Sequence, residues 1–360
     1  MSQKKLVSEQ LVPADILARA EKILFVTHLA IGDFTYQQNG FRAFAEKYPH
    51  IKIDLWVDER GRTRCFWLWP AMKNFVLFDW LRQSGLFNKL YTGSYSPARF
   101  KKLFQAAQKE NYSLVVSLCS LDPERYAAYA RKISPEGFVA GAIDLELSPD
   151  PNAHISDICA NWFEQFFGLQ ILPEQRAPYV NIPKEWMSYA KLKFVQWGIY
   201  KGKQKRLPVI FINVFAKNIK RCWPLDSLTS LLKFLKQDAA LRDASFIVNV
   251  EPRFYDQVDA FLKNYSLRNV FLFTATESFF QLPSIISLCD LVISVETSIM
   301  HLAAAREIPV IALMRKKNPA WVPYQSAKTN VIFAKNRKGW VEDIPVSRVV
   351  QATKLFFQES

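Results

Sequence analysis

The chain has few of the residues from which disulfide frameworks and metal centres are built. Its five cysteines are scattered along 360 residues and never form a C-x-x-C pair, so neither a disulfide framework nor a zinc knuckle is indicated. The four histidines are His28, His50, His154 and His301, and a histidine-based metal centre would need most of them. We therefore expect no metal and no other cofactor.

Long apolar runs and glycine-rich turns are also scarce. The opening segment, MSQKKLVSEQLVPADILARAEK, carries lysines and acids where a signal peptide needs an uninterrupted apolar core. No later stretch reaches membrane-spanning length without charge. With 11 glycines, no strand end shows the G-x-G-x-x-G pattern of a dinucleotide site. We expect a soluble, cytoplasmic chain.

Charge of one sign dominates what is present. The formal net charge is +14, which favours an anionic partner such as nucleic acid, an anionic membrane face or a phosphorylated substrate. Each basic cluster taken alone has a simpler interpretation, namely lysines on a solvated helix face. The clusters are Arg99/Lys101/Lys102, Lys201/Lys203/Lys205/Arg206 and Arg315/Lys316/Lys317.

The fold prediction follows from length and periodicity. A 360-residue chain that is 50% hydrophobic is long enough for two cores, and strand-like runs alternate with helical patterns, as in stacked βαβ units. We predict two α/β domains, residues 1–180 and 181–345, and a C-terminal helix in 346–360 that packs back on the first domain. The predicted strands are 23–27, 51–57, 114–118, 209–214, 246–250, 270–273, 291–295 and 310–313.

A polar turn between two apolar strands, in DLVISVETSIMHLAAAREIPVIAL (290–313), is the most informative segment. Thr297 or Ser298 can cap a short helix there, which Pro309 follows before the next strand. In such a unit the helix N-terminus lies at the carboxyl end of the sheet and favours an anion. Glu296 and His301 belong to the same turn and first helical turn.

An early strand ends in THLAIGDFTYQQNG, which places Asp33 at a strand-to-helix junction beside Gly32. Glycine allows close approach of a backbone or substrate there, and the carboxylate can act at the mouth of the sheet. The alternative is that Asp33 only caps the helix.

A middle strand runs into FAKNIKRCWPLDSL, where Lys220 and Arg221 precede Trp223-Pro224. Pro224 is suited to open a helix, and two cations beside a helix N-terminus suit a diphosphate.

The aromatic stretch CFWLWPAMKNFVLFDWL (65–81) has two interpretations. Rings of this size usually lie in a core. An exposed apolar ridge would instead face a lipid or a partner, as exposed apolar patches usually do.

Taken together, the three junctions resemble glycosyltransferase family 9, the ADP-heptose:lipopolysaccharide heptosyltransferases. The resemblance covers about residues 21 to 315. It rests on Ile31-Gly32-Asp33, on the basic residue before Trp223-Pro224, and on Glu296-Thr297-Ser298-Ile299-Met300-His301 followed by Leu302-Ala303-Ala304-Ala305 and Pro309.

The resemblance implies a GT-B architecture of two facing Rossmann-like domains, the first binding the acceptor and the second the nucleotide sugar. It implies inverting, metal-independent transfer of a heptose from ADP-heptose to the lipid A-linked inner core of lipopolysaccharide or lipooligosaccharide. The enzyme would touch the cytoplasmic face of the inner membrane peripherally and bind no nucleic acid. Asp33 would be the base. The donor diphosphate would meet Lys220, Arg221, Thr297 and Ser298, and the donor sugar would meet Glu296 and His301.

Two departures from the family pattern leave the donor open. The usual Asp-Thr-Gly is Glu296-Thr297-Ser298 here, and the usual lysine two positions before Trp223 is Arg221. Glu251 follows a strand and can meet the nucleoside, or it can have a surface role. Two other hypotheses remain: a GT-B enzyme with another nucleotide sugar or acceptor, and a non-catalytic nucleic-acid-binding protein suggested by charge alone.

Overall fold

The computed structural model of the chain describes residues 10–59, 66, 75–146, 150, 152–199, 207–316, 319–324, 329–336 and 339–359. Its contacts divide the chain into two compact units, residues 1–177 and 178–360. The sequence-based boundary between residues 180 and 181 lies close to this division. The fold is α/β in both units.

The first domain is built on a five-stranded sheet in the order β3-β2-β1-β4-β5, and each neighbouring pair of strands is parallel. Its strands are β1 (Lys22–Thr27), β2 (Lys52–Val57), β3 (Lys89–Tyr91), β4 (Leu114–Ser117) and β5 (Phe138–Gly141). Its described α-helices are α1 (Ala14–Arg19), α2 (Ile31–Lys47), α3 (Leu77–Gln83), α4 (Pro97–Gln108), α5 (Pro123–Ile133) and α6 (Ile155–Phe167).

Aromatic packing holds α2 in place on the first sheet. The ring of Phe25 in β1 makes edge contacts with Phe41 and Phe44 of α2, so these two residues pack the helix against the sheet. Gly40 lies directly against the ring of Phe163 in α6, where a Cβ atom would overlap the ring. The missing side chain therefore lets α2 approach α6 closely.

The second domain is built on a six-stranded sheet in the order β11-β10-β9-β6-β7-β8, again with parallel neighbours. Its strands are β6 (Val209–Asn213), β7 (Ser245–Asn249), β8 (Val270–Phe273), β9 (Leu291–Val295), β10 (Val310–Met314) and β11 (Thr329–Phe333). Its described α-helices are α7 (Lys184–Gln196), α8 (Leu225–Lys236), α9 (Tyr255–Lys263), α10 (Gln281–Ile286), α11 (Ser298–Ala305) and α12 (Val346–Glu359).

The C-terminal helix α12 lies within the predicted range 346–360. Its buried residues Val349 and Ala352 belong to the core of the second domain, together with Leu228 and Leu232 of α8. Periodicity shows that a helix face is buried and not which surface buries it, and the packing of this helix on the first domain stays a prediction.

The aromatic stretch 65–81 is only partly covered by the structure, since residues 65 and 67–74 lie outside the described ranges. In the described part, Leu77, Phe78, Trp80 and Leu81 are buried, and Phe34 of α2 makes an edge contact with the Trp80 ring. These four positions are core, as the first interpretation expected, whereas Phe66 at 65% and Val76 at 40% exposure lie at the surface, as the second did.

One surface ion cluster makes the stability of the first domain depend on pH. Glu110 pairs with Lys22 at 2.7 Å and with Lys89 at 2.6 Å, the first residues of β1 and β3. These hydrogen bonds, that of Lys22 first, lower the pKa of the Glu110 carboxyl from 4.5 to about 2. Because the folded-state pKa is depressed, this stabilisation is present above pH 4.5 and is lost as the pH falls through about 2.

We expect Glu110→Gln to lower the melting temperature at pH 7 by about 1 to 4 °C, since the cluster is partly exposed and screened. The difference from the unmodified chain should shrink as the pH is lowered. Thermal unfolding followed by circular dichroism from pH 7 to pH 3 measures it. A difference that stays constant over this range would show that the ion pairs do not stabilise the domain.

Candidate active site

Strand order places one crevice at the carboxyl edge of each sheet. In an open parallel sheet, ligands bind where successive connections turn to opposite sides. In the first sheet this point lies between β1 and β4, and in the second between β6 and β9. Asp33 follows β1, Arg221 follows β6 and Glu296 follows β9. The three predicted junctions therefore lie at the two switch points.

Asp33 is the third residue of α2, just beyond the end of β1. Its Oδ2 accepts a hydrogen bond from the backbone N–H of Ala30 at 2.6 Å, and its side chain stays half-exposed. The capping role that the sequence offered as the alternative is thus observed. Whether Asp33 is also the base stays a prediction.

Gly32 and Cys159 border Asp33 in different ways. Gly32 lies in the first turn of α2, and its role in close approach to a substrate stays a prediction. Burial raises the pKa of the Cys159 thiol, and the negative charge of Asp33 raises it further. The buried thiol is therefore kept neutral beside this carboxylate.

The second switch point contains the predicted strand-to-helix turn. Thr297 is the N-cap of α11, and its hydroxyl accepts a hydrogen bond from the N–H of Ile299 at 3.3 Å. Helix α11 begins at Ser298. Of the two capping candidates, Thr297 is the one observed, and the N-terminus of α11 lies directly after Glu296 and Thr297 in the chain.

Glu296 is buried, and its carboxylate is bound by a residue that the sequence analysis assigned only to a basic cluster. Arg315 donates from Nε to Oε2 at 3.0 Å and from Nη2 to Oε1 at 2.9 Å. The interaction is a bidentate ion pair, and it raises the pKa of the Arg315 guanidinium through its hydrogen bond to Glu296. Contact of Glu296 with a donor sugar stays a prediction.

Arg221 contacts the turn that contains Glu296, whereas the Lys220 side chain lies against Trp340. Nη1 of Arg221 donates to the backbone carbonyl of Glu296 at 3.4 Å. Its Nε atom is buried and has no hydrogen-bond partner among the described residues. The ammonium of Lys220 lies over the Trp340 ring, 5.6 Å from its centre. The structure therefore brings Arg221, not Lys220, to the Glu296 turn.

A buried amide network, missed by the sequence analysis, connects the strand ends around this turn. Nδ2 of Asn213, the last residue of β6, lies 3.3 Å from Oγ1 of Thr297 and 3.1 Å from the carbonyl of Phe215. Asn249, at the end of β7, donates to Oδ1 of Asn213 at 3.0 Å. In the sequence, this network is indicated only by a polar residue, Asn213, at the end of an apolar strand.

His301 faces the interior of the second domain. It is 3% exposed, and its ring makes an edge contact with Trp321 at 6.0 Å between centres. This position, one turn into α11, suits support of the turn. Its contact with a donor sugar stays a prediction.

Glu251 follows β7, and its carboxylate pairs with Arg253 at 2.9 Å. Arg253 in turn lines a cavity of about 480 Å³ whose wall includes Phe215 and Phe254. The rings of these two phenylalanines are stacked with centres 6.1 Å apart. The cavity thus adjoins the loops that follow β6 and β7, and its aromatic lining was missed by the sequence analysis.

The second switch point combines two features suited to an anion: a half-buried arginine with an unused donor and a helix N-terminus. The first switch point contains the half-exposed carboxylate of Asp33. Across the described ranges, no group of three or more His, Cys, Asp or Glu side chains is arranged to hold a metal ion. The prediction of a metal-free reaction stays a prediction.

Two Rossmann-like α/β domains, the second with a helix N-terminal turn suited to an anion, form the GT-B-like architecture found in many glycosyltransferases. The comparisons agree with this class. Residues 160–341, slightly more than half of the chain, match glycosyltransferase family 9 (heptosyltransferase). The chain belongs to this family, and it is a glycosyltransferase.

Solved structures resemble the chain over almost its whole length. A family 9 glycosyltransferase from Veillonella parvula has 16% identity and a TM-score of 0.72, covering 94% of this chain and 98% of that one. E. coli ADP-heptose LPS heptosyltransferase II has 17% identity and a TM-score of 0.62, covering 94% and 99%.

A third structure, E. coli heptosyltransferase WaaC with ADP, has 14% identity and a TM-score of 0.64, covering 93% and 99%. At these identities the similarity shows the fold. Comparison with curated proteins gives no match. Within the described ranges, no helix has both the length and the apolar character needed to cross a bilayer.

Proposed function

We propose that the chain transfers a heptose from ADP-heptose to the inner core of lipopolysaccharide or lipooligosaccharide, with inversion and without a metal ion. The observation that carries this proposal is the buried Nε of Arg221, which has no partner among the described residues and lies beside the N-terminal turn of α11. A diphosphate would supply the missing acceptor. Membership of the heptosyltransferase family supports the choice of sugar.

On the donor side, Arg221 and the first amides of α11 bind the diphosphate of ADP-heptose. As the bond between the anomeric carbon and the β-phosphate oxygen breaks, negative charge grows on the departing ADP. The guanidinium and the helix N-terminus stabilise this charge without a metal ion. Glu296 and His301 hold the heptose, and Thr297 and Ser298 approach the phosphates.

On the acceptor side, Asp33 removes the proton from the attacking hydroxyl. The acceptor oxygen forms its bond to the anomeric carbon while ADP leaves with the electron pair of the broken bond. One such displacement inverts the configuration of that carbon. The hydrogen bond from Ala30 orients the Asp33 carboxylate for this role.

The cavity lined by Phe215 and Phe254 receives the nucleoside of the donor. Its volume of about 480 Å³ falls within the usual size range of small-molecule sites. The half-exposed Phe254 lines this cavity, with the Phe215 ring stacked on it and the Arg253 guanidinium 4.5 Å from its centre. A purine can pack against this aromatic and cationic surface, and Glu251 reaches the region through its ion pair with Arg253.

We expect Phe254→Ala to weaken ADP binding by about 1 to 3 kcal/mol, the usual contribution of stacking a base on an aromatic ring. Isothermal calorimetry with ADP measures it. The matched control is Phe261→Ala. Phe261 lies in helix α9, which begins directly after Phe254, and it does not line the cavity. Equal affinities for both variants would place the nucleoside elsewhere.

The positive charge of the chain attracts the acceptor, because lipid A-linked core carries phosphate. The +14 net charge supports the proposed peripheral contact with the cytoplasmic face of the inner membrane. Helix α7 adds two exposed apolar residues beside lysines, Leu192 at 58% and Val195 at 57% exposure. Cosedimentation with anionic but not with zwitterionic vesicles would support this contact, and salt-sensitive retention of oligonucleotides on filters would instead support nucleic acid as the partner.

A GT-B enzyme with a different nucleotide sugar is the second candidate, because the Glu296 carboxylate is bound by Arg315. Calorimetric titration with ADP, UDP and GDP separates the two candidates, and tightest binding of ADP is expected. Mass spectrometry of core oligosaccharide from a strain lacking the chain then identifies sugar and acceptor. Loss of one inner-core heptose is expected, and an unchanged core would overturn the proposal.

A further inference from the structure

Glu296 and Arg315 lie directly after the ends of two neighbouring strands. Strands β9 and β10 are parallel, with Val295 opposite Leu313. Glu296 follows the last residue of β9, and Arg315 follows the last residue of β10. Both side chains therefore start at the carboxyl edge of the sheet beside the switch point, although 18 residues separate them in the sequence.

The pair is buried and fully formed. The side chain of Glu296 is 5% exposed and that of Arg315 is 15% exposed. Besides the two contacts from its guanidinium, Arg315 lies with its backbone N–H 3.4 Å from Oε2 of Glu296. The parallel donors of arginine match the two oxygens of a carboxylate, a geometry that lysine cannot reproduce.

A buried ion pair of this kind does little for net stability, because desolvation of both charges offsets much of their attraction. Apolar residues of similar volume would often stabilise the fold as well. The side-chain length also matters. An aspartate at position 296 would be one methylene shorter than the glutamate that Arg315 now reaches.

Glu296 joins this ion pair to the anion-binding turn. Its side chain is held by Arg315, while its carbonyl accepts the hydrogen bond from Nη1 of Arg221 at 3.4 Å. The next residue, Thr297, caps α11. A displacement of Glu296 would therefore move the partner of Arg221 and the start of α11 together.

We infer that Arg315 is a positioning residue for the transfer reaction, which acts through Glu296 to hold Arg221 and the α11 amides in place. This inference rests on the proposed function of the same turn. It also explains the longer acid in the Glu296-Thr297-Ser298 motif, since glutamate is the residue that reaches the guanidinium.

The test compares Arg315→Lys with Arg306→Lys. Lysine keeps the positive charge beside Glu296 but cannot form the bidentate contact. Arg306 is a matched control, because it also donates through two nitrogens, to Ser287 and to the carbonyl of Val180. Melting temperature, kcat, KM for ADP-heptose and Kd for ADP are measured for each variant and for the unmodified chain.

We expect Arg315→Lys to lower kcat/KM by about tenfold or more, since small misplacements of binding groups have effects of this size, while the melting temperature changes little. Arg306→Lys should keep the kcat/KM of the unmodified chain. Glu296→Asp should show the same kinetic loss as Arg315→Lys, although it restores the usual acid of the family. Unchanged kinetics in Arg315→Lys would overturn the inference.

A double variant covers the case in which Arg315→Lys folds poorly. Glu296→Met with Arg315→Met removes both buried charges, so its melting temperature should be near that of the unmodified chain. Because Glu296 is also proposed to contact the heptose, the measurement for this variant is the Kd for ADP, which should be weaker than that of the unmodified chain. An equal Kd would show that the pair is only structural.

Failure of the proposed function gives a different pattern. If the unmodified chain does not use ADP-heptose but binds UDP or GDP, the same variants are compared by Kd for that nucleotide, and weaker binding by Arg315→Lys is expected. Equal Kd values would overturn the inference alone. An unmodified chain that binds none of the three nucleotides would overturn both proposals.

Discussion

Replacing Asp33 by asparagine should lower turnover by about 10²- to 10⁴-fold, the usual contribution of a general base. Asparagine removes the basic carboxylate and keeps an oxygen that can accept the hydrogen bond from Ala30, which is 2.6 Å long in the unmodified chain. The N-terminus of α2 should therefore keep its cap. Steady-state transfer assays and thermal unfolding together measure the two effects.

Asp144→Asn is the matched control for this prediction. The Asp144 carboxylate accepts a hydrogen bond from the backbone N–H of Gly141, three residues earlier, at 2.8 Å. This is the same local pattern as that of Asp33 and Ala30, and it lies in the same domain. Turnover in Asp144→Asn should match the unmodified chain. Turnover in Asp33→Asn equal to that of the control would remove Asp33 from the mechanism and leave it as a helix cap.

Arg221→Met is expected to weaken transition-state stabilisation by about 2 to 3 kcal/mol, the scale of a lost charge-assisted hydrogen bond. This corresponds to a loss of about 30- to 150-fold in kcat/KM for the donor. Methionine keeps much of the length of the side chain, so the packing against the 296 turn is largely retained. Initial rates at varied donor concentration measure the loss.

Lys220→Met separates the two members of the cationic pair. Because the Lys220 ammonium lies over Trp340, we expect a smaller kinetic loss than in Arg221→Met. Arg221→Lys, which restores the usual family residue, should fall between the unmodified chain and Arg221→Met. If Lys220→Met were the more impaired variant, the diphosphate contact would have to be reassigned to Lys220.

The fold was predictable to the extent that its strands are apolar on both faces. All eight predicted strands are present, because runs such as Val209–Asn213 and Leu291–Val295 are completely buried. The three missed strands, β3, β5 and β11, all lie at sheet edges. β3 has only three residues and β11 begins with Thr329 and Asn330, so neither shows a continuous apolar run. β5 ends in Gly141, and glycine is uncommon in strands.

The candidate site was predictable at the junctions and not between them. Asp33, Arg221 and Glu296 each follow a recognisable strand, and turn chemistry marks the positions. Arg315 also follows a strand. It belongs to a cluster of three basic residues, however, and such a cluster is equally expected on a solvated surface. The sequence indicates Asn213 only as part of strand β6, although its side-chain amide connects the ends of three strands.

Sequence alone predicted the α/β strands and the helix caps, because burial of a strand and capping of a helix are local properties, and the residues at three strand ends carried the resemblance to the family. Only the tertiary structure decided which of those residues meet. The pairing of β9 with β10 brings Arg315 to Glu296, and the 3₁₀ turn at residues 219–221 directs Arg221 and not Lys220 to the turn. Such contacts depend on strand register across the sheet, which no short stretch of the chain specifies.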